Sequence, residues 1–282
     1  MMTPPVEQMF CRLANESFEV LGRSTGVADE WLPEGERLCR SFGIRPEGAA
    51  CPAAIFAYPF GPQHAAVVQV ADLPYPPAAL GFRFLVLPRR WYSDFIADPF
   101  HVSDQFPANF AMKGELPTLS WPDDPPPRRT IAQLQKVLQT GGSPTLLGGV
   151  QALIDGGRLV FERPAPAPQL VRDLWQLLPY SSQAELWPAT FAFGNDLGFD
   201  LLIVPKKEGL PLDRYISEEQ ATDYPEGRYE LYLQIAVENG QQHDLDRLLA
   251  RRSSRQTLRL ALFIFFGAII LTVVIGLLNK IL

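Results

Sequence analysis

One short segment carries the residue pattern of a catalytic nucleophile. Residues 22–26, Gly-Arg-Ser-Thr-Gly, match G-x-S-x-G, the sharp turn that exposes the reactive serine of many hydrolases. The segment lies between a strand-like FEVL and a helix-like stretch, but no HGGG-type oxyanion segment is present and no acid and histidine stand out as triad partners. The pattern therefore predicts either a nucleophile at Ser24 or an ordinary strand-to-helix turn, in which Ser24 or Thr25 lies near the start of the helix.

Other reactive groups lack the spacing that chemistry would need. The sequence contains no G-x-x-x-x-G-K-[ST] and no H-E-x-x-H motif. His64, His101 and His243 are scattered, with no acidic or cysteine partner at ligand spacing. The carboxylate pairs 123–124 and 218–219 lie in polar or proline-rich surroundings, where we expect solvated loop charges. We therefore expect no catalytic residue, no cofactor and no metal ion.

Charge is distributed unevenly along the chain. The 25 basic and 31 acidic residues give a formal net charge of -6. Six of the basic residues and none of the acidic ones lie from Arg247 onward, which leaves -12 on residues 1–246. An acidic body argues against nucleic acid as a partner, because phosphates require a basic face.

The C-terminal segment has the composition of a transmembrane helix. Leu260–Leu278 reads LALFIFFGAIILTVVIGLL and has no charged residue over 19 positions. As a helix it would be about 28 Å long, which matches the apolar thickness of a bilayer. A buried core helix is the alternative, but the segment is uniformly apolar. We predict a span over residues 260–278 with a lipid bilayer as its partner.

The flanks of this segment predict its orientation. Cytoplasmic flanks carry the excess of Lys and Arg, and one lysine, Lys280, follows the segment, whereas five arginines precede it: Arg247, Arg251, Arg252, Arg255 and Arg259. The chain has no signal-peptide pattern, and its three cysteines fit reduced thiols. We predict a single-pass protein of the inner, cytoplasmic membrane of a bacterium, with most of the chain cytoplasmic. The arginines either contact anionic headgroups or only set the topology.

Small residues within the predicted span recur at a helical spacing. Ala268, Thr272 and Gly276 are each four residues apart. Small residues at this spacing let two membrane helices approach closely. The spacing predicts a possible homodimer face in the span.

Periodicity in the body alternates between strand and helix. Strand-like apolar runs are Ala53–Tyr58, Ala65–Val70, Phe82–Leu87, Leu159–Phe161, Thr190–Phe193 and Leu201–Val204. Helix-like stretches are Asp29–Phe42, Thr130–Gln139, Ser143–Gly156, Gln169–Leu178, Arg228–Val237 and His243–Ala250. Such mixed short elements predict an α+β fold with a mixed sheet.

Proline clusters suggest the domain boundaries. The proline-rich stretch that ends at Pro127 is the best candidate linker. We predict an N-terminal α+β lobe over 1–127, a second α+β lobe over 128–227 and a helical juxtamembrane segment over 228–259, followed by the span.

Several stretches together carry a family resemblance. They are EQMFCRLANESFEVLGRSTGVADE, FRFLVLPRRWYSDFIADPF, TFAFGNDLGFDLLIVP after Leu177-Leu178-Pro179, and YLQIAVENG with HDLDRLLARR. Their layout resembles the N-terminal region of the bacterial GTPase-associated proteins of conflict and signalling systems. The resemblance implies an adaptor that works beside a separate GTPase.

The sequence thus favours a non-enzymatic, membrane-anchored adaptor or scaffold with a GTPase partner. Confinement to a surface would raise its effective concentration toward partners on the same membrane. Two alternatives remain open: a membrane-tethered serine hydrolase that uses Ser24, and a sensor that binds a small ligand or lipid in an apolar pocket.

Overall fold

A computed structural model of the chain describes residues 4–14, 17–74, 79–111, 113–122, 127–139, 142–250, 262 and 264–266. This part contains eleven strands: β1 (Pro5–Ala14), β2 (Ser17–Ser24), β3 (Ala54–Phe60), β4 (His64–Leu73), β5 (Ala79–Pro88), β6 (Gly114–Leu116), β7 (Leu119–Ser120), β8 (Arg158–Glu162), β9 (Pro188–Ala189), β10 (Leu201–Val204) and β11 (Tyr215–Ile216). All eleven belong to one sheet.

Ten α-helical segments are described alongside the sheet: α1 (Leu32–Ser41), α2 (Arg89–Trp91), α3 (Pro99–Gln105), α4 (Ile131–Gln139), α5 (Ser143–Ile154), α6 (Pro168–Leu177), α7 (Tyr180–Gln183), α8 (Glu218–Thr222), α9 (Arg228–Glu238) and α10 (Gln242–Leu249). A 3-10 turn over Asp29–Trp31 precedes α1, and a π-helical turn over Tyr92–Ile96 follows α2.

The sheet combines an antiparallel part with a parallel part. Its order is β11-β8-β10-β9-β3-β4-β5-β1-β2-β6, and β7 also pairs with β1. Strands β3, β4, β5, β1 and β2 pair antiparallel, whereas β11, β8, β10 and β9 pair parallel. The two parts meet where Phe56 of β3 pairs with Ala189 of β9. The prediction of an α+β fold with a mixed sheet is therefore confirmed.

Strand β5 shows why the central strands are mostly apolar on both faces. Phe82, Phe84 and its other even-numbered residues face the main core, where most of the helices pack. Leu85 and Leu87 face a second cluster beneath the π-helical turn and α3. Side chains alternate between the two faces of a strand, so a strand covered on both sides is mostly apolar, and a polar residue in it, such as Arg83, needs hydrogen-bond partners.

Most of the predicted elements are present within one or two residues of their expected bounds, but one predicted strand is wrong. Residues 190–193 are not a strand, since strand pairing ends at Ala189. The N–H groups of Phe193 and Gly194 both donate to the carbonyl oxygen of Phe42, at 2.8 and 3.0 Å. Two successive N–H groups that point at one acceptor break the alternation of a strand, because successive strand residues face opposite directions.

The single sheet takes β1–β7 from the predicted first lobe and β8–β11 from the second. The helices of the predicted juxtamembrane segment also join the main core, through Leu233, Val237, Leu245 and Leu249. The division into lobes stays a prediction.

No helix among the described residues is both long enough and apolar enough to cross a membrane. Of the predicted span, Leu262 and residues 264–266 belong to the described part, where they are helical, and the rest lies outside it.

Candidate functional site

Ser24 is the last residue of β2 and only 1% exposed. Its hydroxyl donates to Glu7 Oε2 at 2.5 Å and accepts from the Gln8 N–H at 2.9 Å. Strand β2 runs antiparallel to β1, near one edge of the sheet. No histidine is among the hydrogen-bond partners of Ser24 in the described ranges, so the hydroxyl serves there as a link between β1 and β2.

The two glycines of the same motif have packing roles. A Cβ added to Gly22 would lie 2.8 Å from the Gly114 carbonyl oxygen, because β6 pairs closely with β2. A Cβ added to Gly26 would lie 2.2 Å from the carboxyl group of Glu7. The backbone oxygen of Gly114 cannot move aside, so close packing requires the glycine at position 22, whereas at position 26 the Glu7 side chain would have to shift.

The histidines lie apart from Ser24 and from each other. His64 on β4 has its ring 4.6 Å from that of Trp31, and burial lowers its pKa. His101 on α3 contacts the ring of Trp121, and His243 on α10 is exposed. Within the part of the chain that the structure describes, no three His, Cys, Asp or Glu side chains are grouped to hold a metal ion.

Of the two carboxylate pairs, residues 123–124 lie outside the described residues, and the expectation that 218–219 lie in a loop is wrong. Glu218 and Glu219 form the first turn of α8, behind a capping box of Ser217 and Gln220. The hydrogen-bonded guanidinium of Arg163 lowers the pKa of Glu218. These carboxylates stabilise a helix start rather than act as an acid/base pair.

A buried arginine joins three strands to the chain segment that covers them. Arg83 on β5 is 5% exposed. Its guanidinium donates to the side-chain oxygens of Gln8 and Gln69 at 2.9–3.2 Å, and to the carbonyl oxygens of Phe106 and Pro107 at 3.0 and 2.6 Å. Burial lowers the pKa of Arg83. We call Gln8, Gln69 and Arg83 the polar core; its donors are directed at acceptors of this chain, which marks it as structural.

The π-helical turn over Tyr92–Ile96 is followed by a strained residue. It ends at Ala97, which has φ of +45°, a left-handed conformation that an alanine rarely adopts. Two contacts hold the turn: the indole N–H of Trp175 donates to the Ala97 carbonyl oxygen at 2.9 Å, and the Tyr92 ring stacks on Trp187. The hydroxyl of Tyr92 is buried without a hydrogen-bond partner among the described residues. Sequence periodicity gave no signal for this turn.

The last helix before the predicted anchor is fixed to the body. Leu245 and Leu249 of α10 are fully buried. Gln242 donates to the Arg129 carbonyl oxygen at 2.9 Å and accepts from the Ile131 N–H at 3.0 Å, and Asp246 forms an ion pair with Arg128. The described body is therefore packed up to the end of α10.

Helix α9, which packs against α10, is apolar on two sides. Its inner side includes Leu233 and Val237, which are buried. On its outer side lie three large residues that are 42–53% exposed, here called the α9 patch: Leu231, Tyr232 and Ile235. A surface helix normally presents polar residues on its outer side. The sequence of residues 231–237, LYLQIAV, is apolar at six of seven positions, more than one buried helix face requires. Periodicity alone predicts only a helix from this run.

A shallow cleft opens beside the inner edge of α9. It has a volume of about 340 Å³ and is lined by α4, α5 and α9. Its walls include the amide side chains of Gln135 and Gln234 together with Leu147. The amide group of Gln135 already has a partner within the fold, because it donates a hydrogen bond to the Val237 carbonyl oxygen at 3.0 Å.

Most of the membrane-related residues fall outside the described part. Arg247 lies exposed in the last turn of α10, which ends at Leu249. The structure does not describe the other predicted flanking or dimer-face residues: Arg251, Arg252, Arg255, Arg259, Ala268, Thr272 and Gly276. Their roles stay predictions.

No protein-family model matches the chain, and comparison with curated proteins gives no significant match. The candidate site is the α9–α10 surface, where the apolar α9 patch lies on a helix that packs against α10.

Proposed function

We propose that the protein is a membrane-anchored adaptor whose α+β body is presented to a GTPase on the same cytoplasmic membrane surface. The observation that carries this proposal is the attachment of α10. Leu245 and Leu249 fix this helix in the core, and the arginine-rich sequence begins directly after it at Arg251. An anchor joined to the core through a packed helix would restrict both the distance and the orientation of the body.

The length of the connection supports this reading. Nine residues separate Ala250 from Leu260, the start of the apolar segment. Even fully extended they reach only about 30 Å. A long flexible linker would leave the body free to sample a large volume, whereas a short one concentrates it near partners on the same surface.

The membrane part of the proposal is tested with arginines in the apolar segment. Each arginine at the centre of a span opposes insertion by about 2.5–3.5 kcal/mol. We expect the full chain with Ile269→Arg and Val273→Arg to leave the membrane fraction on alkaline washing. The matched control, Ile269→Leu with Val273→Leu, is expected to remain with the wild-type protein. A wild-type chain that washes off would refute the anchor.

The partner part is tested by cross-linking the full chain in its native membrane and identifying the captured proteins. We expect a GTPase to be cross-linked to the wild-type chain and to the leucine control, and to be lost with the arginine variant. If the anchored protein captures no GTPase, the adaptor assignment is wrong while the anchor stands.

A further inference from the structure

The α9 patch has no role inside the fold. Leu231 and Ile235 are four residues apart and Tyr232 lies three residues before Ile235, so the three side chains share one face of the helix. They are 43%, 42% and 53% exposed, while the opposite face already supplies the core contacts of α9. Exposed apolar residues clustered on one helix face mark a contact with something outside the body.

The position of the patch limits what that contact can be. Neighbouring helices pack about 8–10 Å apart, and α10 has eight residues. The α9 patch therefore lies within roughly 20 Å of the point where the chain leaves α10, given about 1.5 Å of rise per residue. The nine residues that follow reach no further than about 30 Å. If the segment from Leu260 spans a bilayer, the two lengths together hold the patch within about 50 Å of that bilayer, close enough to reach its surface.

From this arrangement we infer that the α9 patch lies on the bilayer itself, at the boundary between headgroups and acyl chains, as a second membrane contact that orients the body. This inference rests on the proposed anchor. It assigns the patch to anionic phospholipid rather than to a protein.

The side chains of the α9 patch are of the types that bind at the surface of a phospholipid bilayer. Leucine and isoleucine partition into the apolar side of the interface, and tyrosine is enriched at headgroup level, where its ring is apolar and its hydroxyl is wet. Two exposed arginines, Arg228 at the start of α9 and Arg247 in α10, can meet lipid phosphates.

Most of the acidic groups near the patch lie away from its two arginines. Glu230 is half-buried, and the exposed Glu238 and Asp244 lie toward the loop between the two helices. Glu226, two residues before Arg228, is also exposed. Residues 1–246 carry -12 in total, so an anionic surface repels the rest of the body and favours contact through the end from which the arginine-rich segment leaves.

A second copy of the chain fits the patch less well. A stable protein interface buries about 800 Å² on each partner and involves some 20–30 residues a side. Three partly exposed side chains supply a small fraction of that surface. A bilayer has no such requirement, because the anchor already holds the protein in place.

The test places a fluorescent label on the patch of the full chain. Tyr232→Cys is labelled with the environment-sensitive dye NBD in vesicles of equal parts phosphatidylglycerol and phosphatidylcholine. The matched control carries the label at Ile44→Cys, a loop position that is 93% exposed. The native cysteines are all buried, so the dye reacts at the introduced site. Lipids with a quencher near the headgroup are then added.

We expect quenching at position 232 to be several-fold stronger than at position 44, with a blue-shifted emission. Adding Leu231→Ser and Ile235→Ser should reduce this quenching several-fold while the protein still floats with the vesicles.

Equal, weak quenching at both positions in floating protein overturns the inference and leaves the anchor intact. Protection of position 232 that depends on protein concentration but not on the lipid quencher overturns it in favour of a second copy. A protein that does not float refutes the proposed anchor instead.

Discussion

The polar core of the sheet and the α9 patch are both unusual for their surroundings, but in opposite ways. Arg83 is a charged side chain in the interior, and its guanidinium finds four different acceptors within 3.2 Å. The patch is apolar surface on the exterior, and the described body leaves its three side chains about half exposed. The first feature is explained completely by contacts of the chain with itself, whereas the second is not.

This difference separates residues that hold the fold together from residues that are candidates for a function. A buried polar group that the fold satisfies needs no ligand to account for it. Exposed apolar side chains that the fold leaves uncovered point to an external surface. By this criterion Ser24, whose hydroxyl is engaged twice, belongs with the polar core, whereas α9 belongs with the candidate site.

Among the variants that test this comparison, we expect the largest loss in the free energy of unfolding at Arg83. Replacing it with methionine removes the donor to the buried side-chain oxygens of Gln8 and Gln69 and one donor to the less buried carbonyl oxygens of Phe106 and Pro107. We expect a loss of about 3–5 kcal/mol in the free energy of unfolding, since removing one partner strands the others. Urea denaturation of the full chain in detergent, followed by tryptophan fluorescence, measures it.

The matched control for this change is Arg90→Met on the exposed side of α2. It removes the same charge from the surface and should change the unfolding free energy by less than about 0.5 kcal/mol. Similar values for the two variants would contradict the structural role of the polar core.

A smaller effect should distinguish the two sides of α9. Leu233→Ala removes a fully buried side chain, and we expect a loss of about 2–4 kcal/mol in the unfolding free energy. Leu231→Ala, two residues earlier on the outer side, should cost less than about 0.5 kcal/mol. The same denaturation experiment compares them. Equal losses would mean that Leu231 supports the body, and the patch would then need no external partner.

The sequence allowed the regular elements to be predicted because they carry periodic signals. Strand β10 was expected at Leu201–Val204 and is found there, and the helix expected over Thr130–Gln139 is α4, which begins behind a capping box of Thr130 and Gln133. The π-helical turn at Tyr92–Ile96 carries no periodic signal, because tertiary contacts such as that of Trp175 with Ala97 hold it in place.

The candidate site could be predicted only in part, for a related reason. Periodicity located α9, but which side of a doubly apolar helix is buried depends on how it packs against α4, α5 and α10. The local pattern around Ser24 resembles a hydrolase turn, yet the decisive facts are long-range. Glu7, which accepts the hydrogen bond from Ser24, lies 17 residues earlier in the chain. Gly114, which packs against Gly22, lies on β6, the strand that pairs with β2.

The smallest expected effect concerns Ser24. Ser24→Ala removes the acceptor of the buried Gln8 N–H and one donor to Glu7, and we expect a loss of about 1–3 kcal/mol in the unfolding free energy. Thr118→Ala, which removes only the exposed second donor to Glu7, is the control and should cost no more than about 0.5 kcal/mol. A fluorophosphonate probe should leave the wild-type chain unlabelled, because Ser24 is 1% exposed and its hydroxyl proton is held by a carboxylate rather than by a histidine. Labelling that disappears in Ser24→Ala would instead place this serine with the functional residues and support the hydrolase alternative.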